Sequence, residues 1–502
     1  MVVVDTPMSN NGNSGTNSKR GAITRRNAIT GLGTAFTVAL AGCGGGGGGD
    51  GGDGGDGGDG GDGGGDGGDG GDGGDGGGGT TAGGGTTNIV LWHGEAEQRP
   101  KKAVEMAVEK FEEQNDGITV DIQVVNERQI SNQVLAGSQT GTLPNVIEAG
   151  SAFMGQVSSA DLIDKTAAAE AVDMVGRDKF LKGPVPWAQS GGEFMMVPYY
   201  AFVNSFWWRK NAFEENGLEA PNTWDRLLES AKTLHDPDNN QFGIAFGTEK
   251  HEFTRQCWEA FALSNGARVL DADGNVIFDS PETVEALEVY ADLAQYNPPG
   301  KHNFGVPRDL YVNESVHNSF WSSFLMTPIF DGGGEEMSKD TGTIKLLENT
   351  TSAVNGSVIG LGILNTNNKG ISQDQVNASV KLAQWMLQPE AYIPLLHTRA
   401  GGYRPVVSGI IDNDLYTMET AANPDGVKVI RAWKDTMQQM SETLNSDKLQ
   451  RHGLVDGKSF PAFGNVVAQN IIPEAIVKVI DGADAAQIAS EYQGKIETAM
   501  QG

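Results

Sequence analysis

Asn88-Ile89-Val90-Leu91-Trp92-His93-Gly94 decides the fold: an uncharged, mostly apolar run of strand length that ends in a loop glycine. Downstream, residues 100–114 carry Ala103, Met106, Ala107, Val108 and Phe111 at helical spacing, and Asn115-Asp116-Gly117 breaks that helix. Ile118-Thr119-Val120-Asp121-Ile122-Gln123-Val124 alternates as a strand. A second helix is expected over 127–138, ending near Gly141, and residues 143–150 read as a short strand feeding a loop. Strand–helix–strand–helix–strand predicts an α/β class with a mainly parallel sheet. Ligands of such sheets sit beyond the carboxyl ends of the strands, here near 92–96 and 148–152.

Further along, residues 192–201 and 202–210 form two extended runs joined at Pro198. A short helix stopped by Gly217 follows, then a helix opened by Thr223 as N-cap. Trp207, Trp208 and Trp224 fit strand and helix packing, and Trp385 and Trp433 lie on helical stripes. Cys257 beside Trp258 reads as a buried structural thiol. Asp236-Pro237-Asp238-Asn239-Asn240 and Asp271-Ala272-Asp273-Gly274-Asn275 look like pieces of calcium loops but reach no terminal Glu at the right distance. Turns built on Asp and Asn side chains account for both.

Upstream of the globular part, Arg25 and Arg26 precede an uncharged run of small and apolar residues, 28–42. At fewer than the roughly 20 residues needed to span a bilayer, this run is a signal peptide rather than an anchor. The arginine pair resembles a twin-arginine export signal, with Ala28 standing where a bulkier residue is usual. Leu40-Ala41-Gly42-Cys43 resembles a lipobox, in which Cys43 would carry the lipid. Between Gly44 and Gly85 stand 30 Gly and 9 Asp, with nothing to bury. The tract to residue 87 is expected to be a disordered tether with a coil span of about 35–40 Å. Calcium-binding Gly/Asp nonapeptide repeats carry a large apolar residue in each unit, and this tract has none.

Residues 88–502 are long enough for two domains. Net charge is −29; the tract supplies −9 and residues 1–49 supply +3, so the remaining chain carries −23. So acidic a chain argues against nucleic acid and anionic membranes as partners. The composition is similar to that of secreted proteins of salt-loving organisms, a halophilic archaeon among them, where salt screens the repulsion. With Cys43 lipidated, Cys257 has no intrachain partner. No Gly-x-Ser-x-Gly, His-Glu-x-x-His, P-loop or paired-cysteine site occurs, and the seven histidines lack ligand spacing. No cofactor, metal or catalytic residue is assigned.

A sequence of short motifs carries a family resemblance: Trp92-His93-Gly94, Phe111-Glu112-x-x-Asn115, Leu143-Pro144-x-Val146 and Val197-Pro198-Tyr199. Later come Asn211-x-Phe213-Glu214-x-x-Gly217-Leu218, Pro221-x-Thr223-Trp224-Asp225, Phe278-Asp279-Ser280-Pro281-Glu282, Gly360-Leu361-Gly362 and Gly401-Gly402-Tyr403-Arg404-Pro405. No single motif is specific; their order from residue 88 to the C-terminus resembles extracellular solute-binding proteins of carbohydrate-type ABC importers. The stretch 320–326 departs from the Gly-Lys-x-Ala-Met pattern common there. The resemblance implies a two-lobed, type II periplasmic-binding-protein fold. Lobe one would be 88–198 with 357–405 and lobe two 199–356 with 406–502, with crossings at 197–201 and 355–359. Hinge closure around a ligand is the motion the resemblance implies, since periplasmic binding proteins close in that way as a class.

A sugar pocket needs aromatic faces against the ring and carboxylates, amides and Arg on the hydroxyls. The candidates are Trp92 (cleft wall or core plug), His93, Glu95, Glu148, Ser151, Tyr199 and Tyr200 (only one facing the cleft, by strand alternation), Trp258, Trp321, Asp331, Tyr403 and Arg404. Arg404 and Arg99 are the cations within reach, which favours a neutral sugar. The reading is a monomeric, lipid-anchored binding protein on the outer face of the cell membrane, delivering a mono- or oligosaccharide to an ABC permease. The rivals are a secreted glycosidase, which needs two carboxylates about 5–10 Å apart, and a binding protein for another solute such as a glycerol phosphate.

Overall fold

A computed structural model describes residues 85–125, 130–456 and 458–501, apart from the Ser131 side chain. Arg25, Arg26, Cys43 and the Gly/Asp tract up to residue 84 lie outside the described residues. The opening frame is β1 (Thr87–His93), α1 (Gln98–Gln114), β2 (Ile118–Val124), α2 (Ile130–Thr140), β3 (Val146–Gly150) and α3 (Ser151–Ser159). Helix α1 begins two residues before the expected start. Pro100 is accommodated because the first-turn N–H groups have no helical partner to lose. Its buried face is Pro100, Ala103, Val104, Ala107, Val108 and Phe111. Asn115 closes it by donating its side-chain amide to Phe111 O at 2.8 Å, and Gly117 turns the chain at φ 85°.

Strand β4 (Val197–Arg209) is a single run of 13 residues, buried along nearly its whole length. The two expected extended runs are therefore one strand. Pro198, which cannot donate to a ladder, sits opposite Gly360 where the register shifts between Ile359 and Gly360, the kind of irregularity that admits a proline. Helix α4 (Glu252–Ser264), β5 (Asn318–Ser322), β6 (Thr341–Thr343), β7 (Ser352–Ile363), α5 (Gln373–Trp385), α6 (Pro389–Thr398) and β8 (Arg404–Pro405) complete the elements that frame the site.

The main sheet runs β8-β4-β7-β3-β1-β2. Along this order β2-β1-β3 is parallel, while β7 is antiparallel to both β3 and β4, and β8 is antiparallel to β4. The parallel sheet expected of the opening strand–helix unit is present in β2-β1-β3, and the later strands extend it antiparallel. Long strands that return from a second layer enter the sheet without a helical crossover and can run antiparallel. The first half of β4, Val197–Val203, pairs with β7, while Asn204–Arg209 pairs with β5 and β6. The start of β7 likewise pairs with Leu347–Glu348 and Leu449–Gln450. These two strands run through both halves of a two-lobed, type II α/β fold, and the lobes meet over their middles.

Other local expectations hold. Thr223 caps its helix by accepting from Arg226 N–H at 3.3 Å. Trp207, Trp385 and Trp433 are core residues, with indole N–H groups on Trp321 O, Ala107 O and Met326 O. Asp271 Oδ1 accepts from the N–H groups of Asp273 and Asn275, both at 2.9 Å, which closes the Asp271–Asn275 turn internally. Cys257 is fully buried and accepts from Gly247 N–H, and burial pushes its thiol pKa up.

Candidate ligand-binding cleft

The ends of β1 and β3, the middles of β4 and β7, α4 and the segment 451–467 enclose a cleft with about 1070 Å³ of space, solvent at its mouth included. Glu95 follows β1, Gly150 ends β3 and Ser151 opens α3, so the carboxyl ends of the parallel strands reach the cleft as their polarity requires.

One wall carries Glu95, Ser151, Trp187, Tyr200 and Tyr403. The Tyr200 hydroxyl lies 2.8 Å from Glu148 Oε1 and 3.5 Å from Glu95 Oε1. The Tyr403 hydroxyl also donates to Glu95 Oε1. Tyr200 and Tyr403 rings are 4.3 Å apart between centroids, and Phe324 meets Tyr403 edge-on. Gly401 and Gly402 make this approach possible: Gly401 has φ 84°, and a Cβ on Gly402 would overlap the Phe324 ring. Arg399 anchors the rim, 3.3 Å from Glu95 and 3.0 Å from Glu97. Glu148 has no cation paired with it among the described residues. Burial, with Glu95 beside it, pushes its pKa up to about 8.

The facing wall is ion-paired. Arg255 bonds Glu252 Oε2 and Glu259 Oε2, each at 2.9 Å, while Glu259 Oε1 accepts from the His452 backbone N–H. Arg451 leans across the cleft. Its Nη1 donates to Ser151 Oγ at 2.7 Å and its guanidinium lies 4.7 Å over the Trp187 ring. Burial lowers its pKa to about 10, leaving it charged at neutral pH. Phe460, Phe463 and Ser459 complete this side.

Of the expected residues, Glu95, Ser151, Tyr200 and Tyr403 line the cleft, with Glu148 bonded to Tyr200. Strand alternation separates the tyrosine pair. Tyr200 faces the cleft, and Tyr199 is turned inward to stack on Tyr392 at 5.6 Å. The other candidates are placed elsewhere. Trp92 packs in the core with its indole on Gln123 at 2.9 Å. His93 is buried and accepts from Glu95 N–H; burial, with Lys101 nearby, lowers its pKa to about 4, so it stays neutral. Trp258 is fully buried against Phe278 and His452, and Trp321 packs on Phe253 and Phe304. Asp331 is exposed on the helix Met326–Asp340. Arg404 turns to the back of the sheet and donates to Met437 O and Ser441 Oγ.

Trp187, Phe324, Arg255 and Arg451 were not among the expected residues. For Arg255 a signal existed: Glu252, Arg255 and Glu259 share one helix face at spacings of three and four. Arg451 and Trp187 lie in a strand-poor stretch and a four-residue helix, Pro184–Trp187, with no periodicity to mark them. Among the described residues no three His, Cys, Asp or Glu side chains cluster as a metal site would.

A cleft between two α/β lobes, walled by aromatic rings and by carboxyl, guanidinium and hydroxyl groups, is an arrangement that suits solute binding. A family model described as bacterial extracellular solute-binding protein matches residues 94–310. A putative ABC transporter periplasmic-binding protein of Escherichia coli K12, YcjN, is 28% identical over 413 residues, 82% of this chain and 92% of the relative. A mannitol-binding protein of Pseudomonas aeruginosa is 31% identical over 157 residues, 28% of this chain and 36% of that protein. The maltose-bound MalE3 of T. maritima shares the fold with a TM-score of 0.63 at 18% identity, over 82% of this chain and all of that one. The chain is thus similar over most of its length to an ABC transporter periplasmic-binding protein, and over residues 94–310 to the bacterial extracellular solute-binding proteins. No helix among the described residues is long and apolar enough to cross a membrane.

Proposed function

We propose that the protein is a lipid-anchored extracellular receptor that captures a mono- or oligosaccharide between its lobes and delivers it to the permease of an ABC importer. The observation that carries the reading is the pairing of ring faces (Trp187, Tyr200, Phe324, Tyr403) with hydrogen-bonding groups (Glu95, Ser151, Glu252, Arg451) in one cleft. That is the chemistry a pyranose or polyol presents: flat C–H faces and a rim of hydroxyls. The names of the mannitol-binding relative and of the maltose-bound neighbour agree with it. The cleft cations favour a neutral ligand over a phosphate, since Arg255 is already bound to two carboxylates and Arg451 stands alone. Residues 88–198 with 357–405 and 199–356 with 406–502 are the proposed lobes; the partners of β4 change between Val203 and Asn204, five residues past the proposed 198/199 boundary.

Cys43 is the proposed lipidated residue after export through the Arg25–Arg26 signal, and the Gly/Asp tract the spacer that keeps a monomeric receptor near its permease. Calorimetry in high salt against mono- and disaccharides, sugar alcohols, glycerol phosphates and oligopeptides tests the ligand class. One-to-one binding of a sugar or polyol without turnover is expected; selective binding of a phosphate or peptide, or product formation, overturns it. Radiolabelled lipid incorporation should disappear in Cys43→Ser; equal labelling of the variant overturns the anchor.

A further inference from the structure

Two carboxyl groups, Glu95 on the cleft wall and Glu148 buried behind it, reach one phenol. Glu148 Oε1 is 2.8 Å and Glu95 Oε1 3.5 Å from the Tyr200 hydroxyl, which has a single proton to give. Tyr403 donates a second proton to Glu95, and Arg399 neutralises Glu95 from the rim. Among the described residues nothing comparable serves Glu148, which is 7% exposed and hydrogen-bonded to the Tyr200 phenol. Charged and titratable groups surround it from several elements. Glu95 follows β1, Tyr199 and Tyr200 stand on β4, and Tyr403 lies in the loop before β8; Arg399, just past α6, pairs with Glu95 and Glu97, and buried His93 is neutral. From the facing wall Arg451 reaches only as far as Ser151. A buried carboxylate without a cation, beside a second carboxylate, is relieved by taking up a proton.

We propose that Glu148 and Glu95 share one proton across Tyr200, making a carboxylic acid–carboxylate pair that is the polar end of the ligand subsite and that ties solute capture to protonation. With Glu148 protonated behind it, the Tyr200 hydroxyl is free to donate beside the Glu95 carboxylate, so the cleft wall offers a donor and an acceptor side by side, which suits a ligand hydroxyl acting as acceptor and donor at once, such as one member of a vicinal diol. This rests on the polyhydroxylated-ligand reading above. Loss of the shared proton leaves two adjacent buried carboxylates that hold the Tyr200 hydroxyl as their donor and withdraw it from the ligand; the raised pKa of Glu148, about 8, places that loss just above neutrality. The signed expectation is full capture below that value and weakening as pH rises through it.

Two measurements on the full chain test it. In protein carrying 13C-labelled glutamate, one side-chain carboxyl resonance should titrate with a midpoint near 8 and vanish in Glu148→Gln, while Tyr200→Phe moves the midpoint upward. Carboxyl resonances that all titrate in the ordinary range, or an upper one that survives Glu148→Gln, overturn the shared proton. Maltose and mannitol titrations followed by tryptophan fluorescence should weaken at least about tenfold between about pH 6 and about pH 10, and Glu148→Gln should abolish that dependence. A pH dependence retained in Glu148→Gln overturns the link to capture. If neither probe binds at either pH, the link to capture is overturned for these two ligands, while the carboxyl titration still decides the shared proton.

Discussion

The two walls of the cleft solve the same problem, polar groups taken out of water, in opposite ways. The wall from α4 and segment 451–464 uses full charges in pairs: Glu252, Arg255 and Glu259, with Arg451 stacked on Trp187 across the gap. The wall from β1, β3, β4 and the loop at Tyr403 sets phenols on carboxyl groups, and Glu148 there has a phenol where Glu259 has a guanidinium. A paired ionic wall is rigid and indifferent to pH near neutrality. A phenol–carboxyl wall costs less desolvation but titrates. The difference locates the pH sensitivity of the cleft on one side and its mechanical stability on the other.

The largest test of that division is Arg255→Ala. It leaves Glu252 and Glu259 buried without their cation, and breaking such a pair costs about 3–5 kcal/mol. Denaturant unfolding at neutral pH should show a loss of that order. A loss below about 1 kcal/mol would mean that the ionic wall is solvated and the contrast is false.

Next comes the pH dependence of stability. The folded state holds a proton on Glu148 up to about pH 8, whereas the unfolded chain releases it near the ordinary value of 4.5. A carboxyl with a raised folded pKa contributes stability that is complete below 4.5 and lost as pH climbs through 8. The slope from this one group approaches about 1.4 kcal/mol per pH unit within that window. Glu148→Gln should flatten the curve there by that amount, read as unfolding free energy against pH. Arg255→Met should leave the slope in place while shifting the whole curve down. Equal slopes in wild type and Glu148→Gln would take the titrating group away from this wall.

Tyr200→Phe is smaller. It removes one hydrogen bond to Glu148 and keeps the ring contact with Tyr403, so stability should fall by about 1–2 kcal/mol, measured by denaturant unfolding. The same variant should weaken sugar binding more than it weakens the fold, since the hydroxyl also faces the ligand space.

The phenol–carboxyl wall was largely legible in the sequence, and the ionic wall was not. Glu95, Glu148, Ser151 and Tyr200 stand at or near the ends and middles of strands whose patterns are plain, so polarity of the sheet aims them at the cleft. Tyr403 was legible through the Gly401-Gly402 pair that frees its loop. Alternation also explains why Tyr199 turned inward, although it could not say which of the two would. Trp92, at the end of the first strand, fitted a cleft wall or a core plug equally, and the strand pattern could not choose; burial claimed it and Trp258 alike. Arg451 meets Ser151 across 300 positions of chain from an irregular segment. Nothing local in sequence encodes such a contact, because it depends on how the lobes are stacked and not on any period. The antiparallel entry of β7 was hidden for the same reason: strand pattern does not record direction.

The smallest expected effect probes the bond that joins the two walls. Ser151→Ala deletes the acceptor of Arg451 Nη1 and nothing else of size, since the side chain is small and α3 begins after Gly150 without a side-chain cap. The guanidinium keeps its stacking on Trp187 and can turn its freed N–H groups to solvent in the cleft, so the loss in stability should be about 0.5–1.5 kcal/mol. Were Arg451 held only by the ionic wall, unfolding of Ser151→Ala and of wild type would coincide. Were it held by Ser151, the variant should lose that increment, and a second substitution, Arg451→Ala, should cost less in the Ser151→Ala background than in wild type. A double-mutant cycle measures that coupling directly. A coupling of about 1 kcal/mol would make this bond a clasp between walls of opposite design. A coupling near zero would leave the walls independent, with closure resting on ring packing and on the ligand itself.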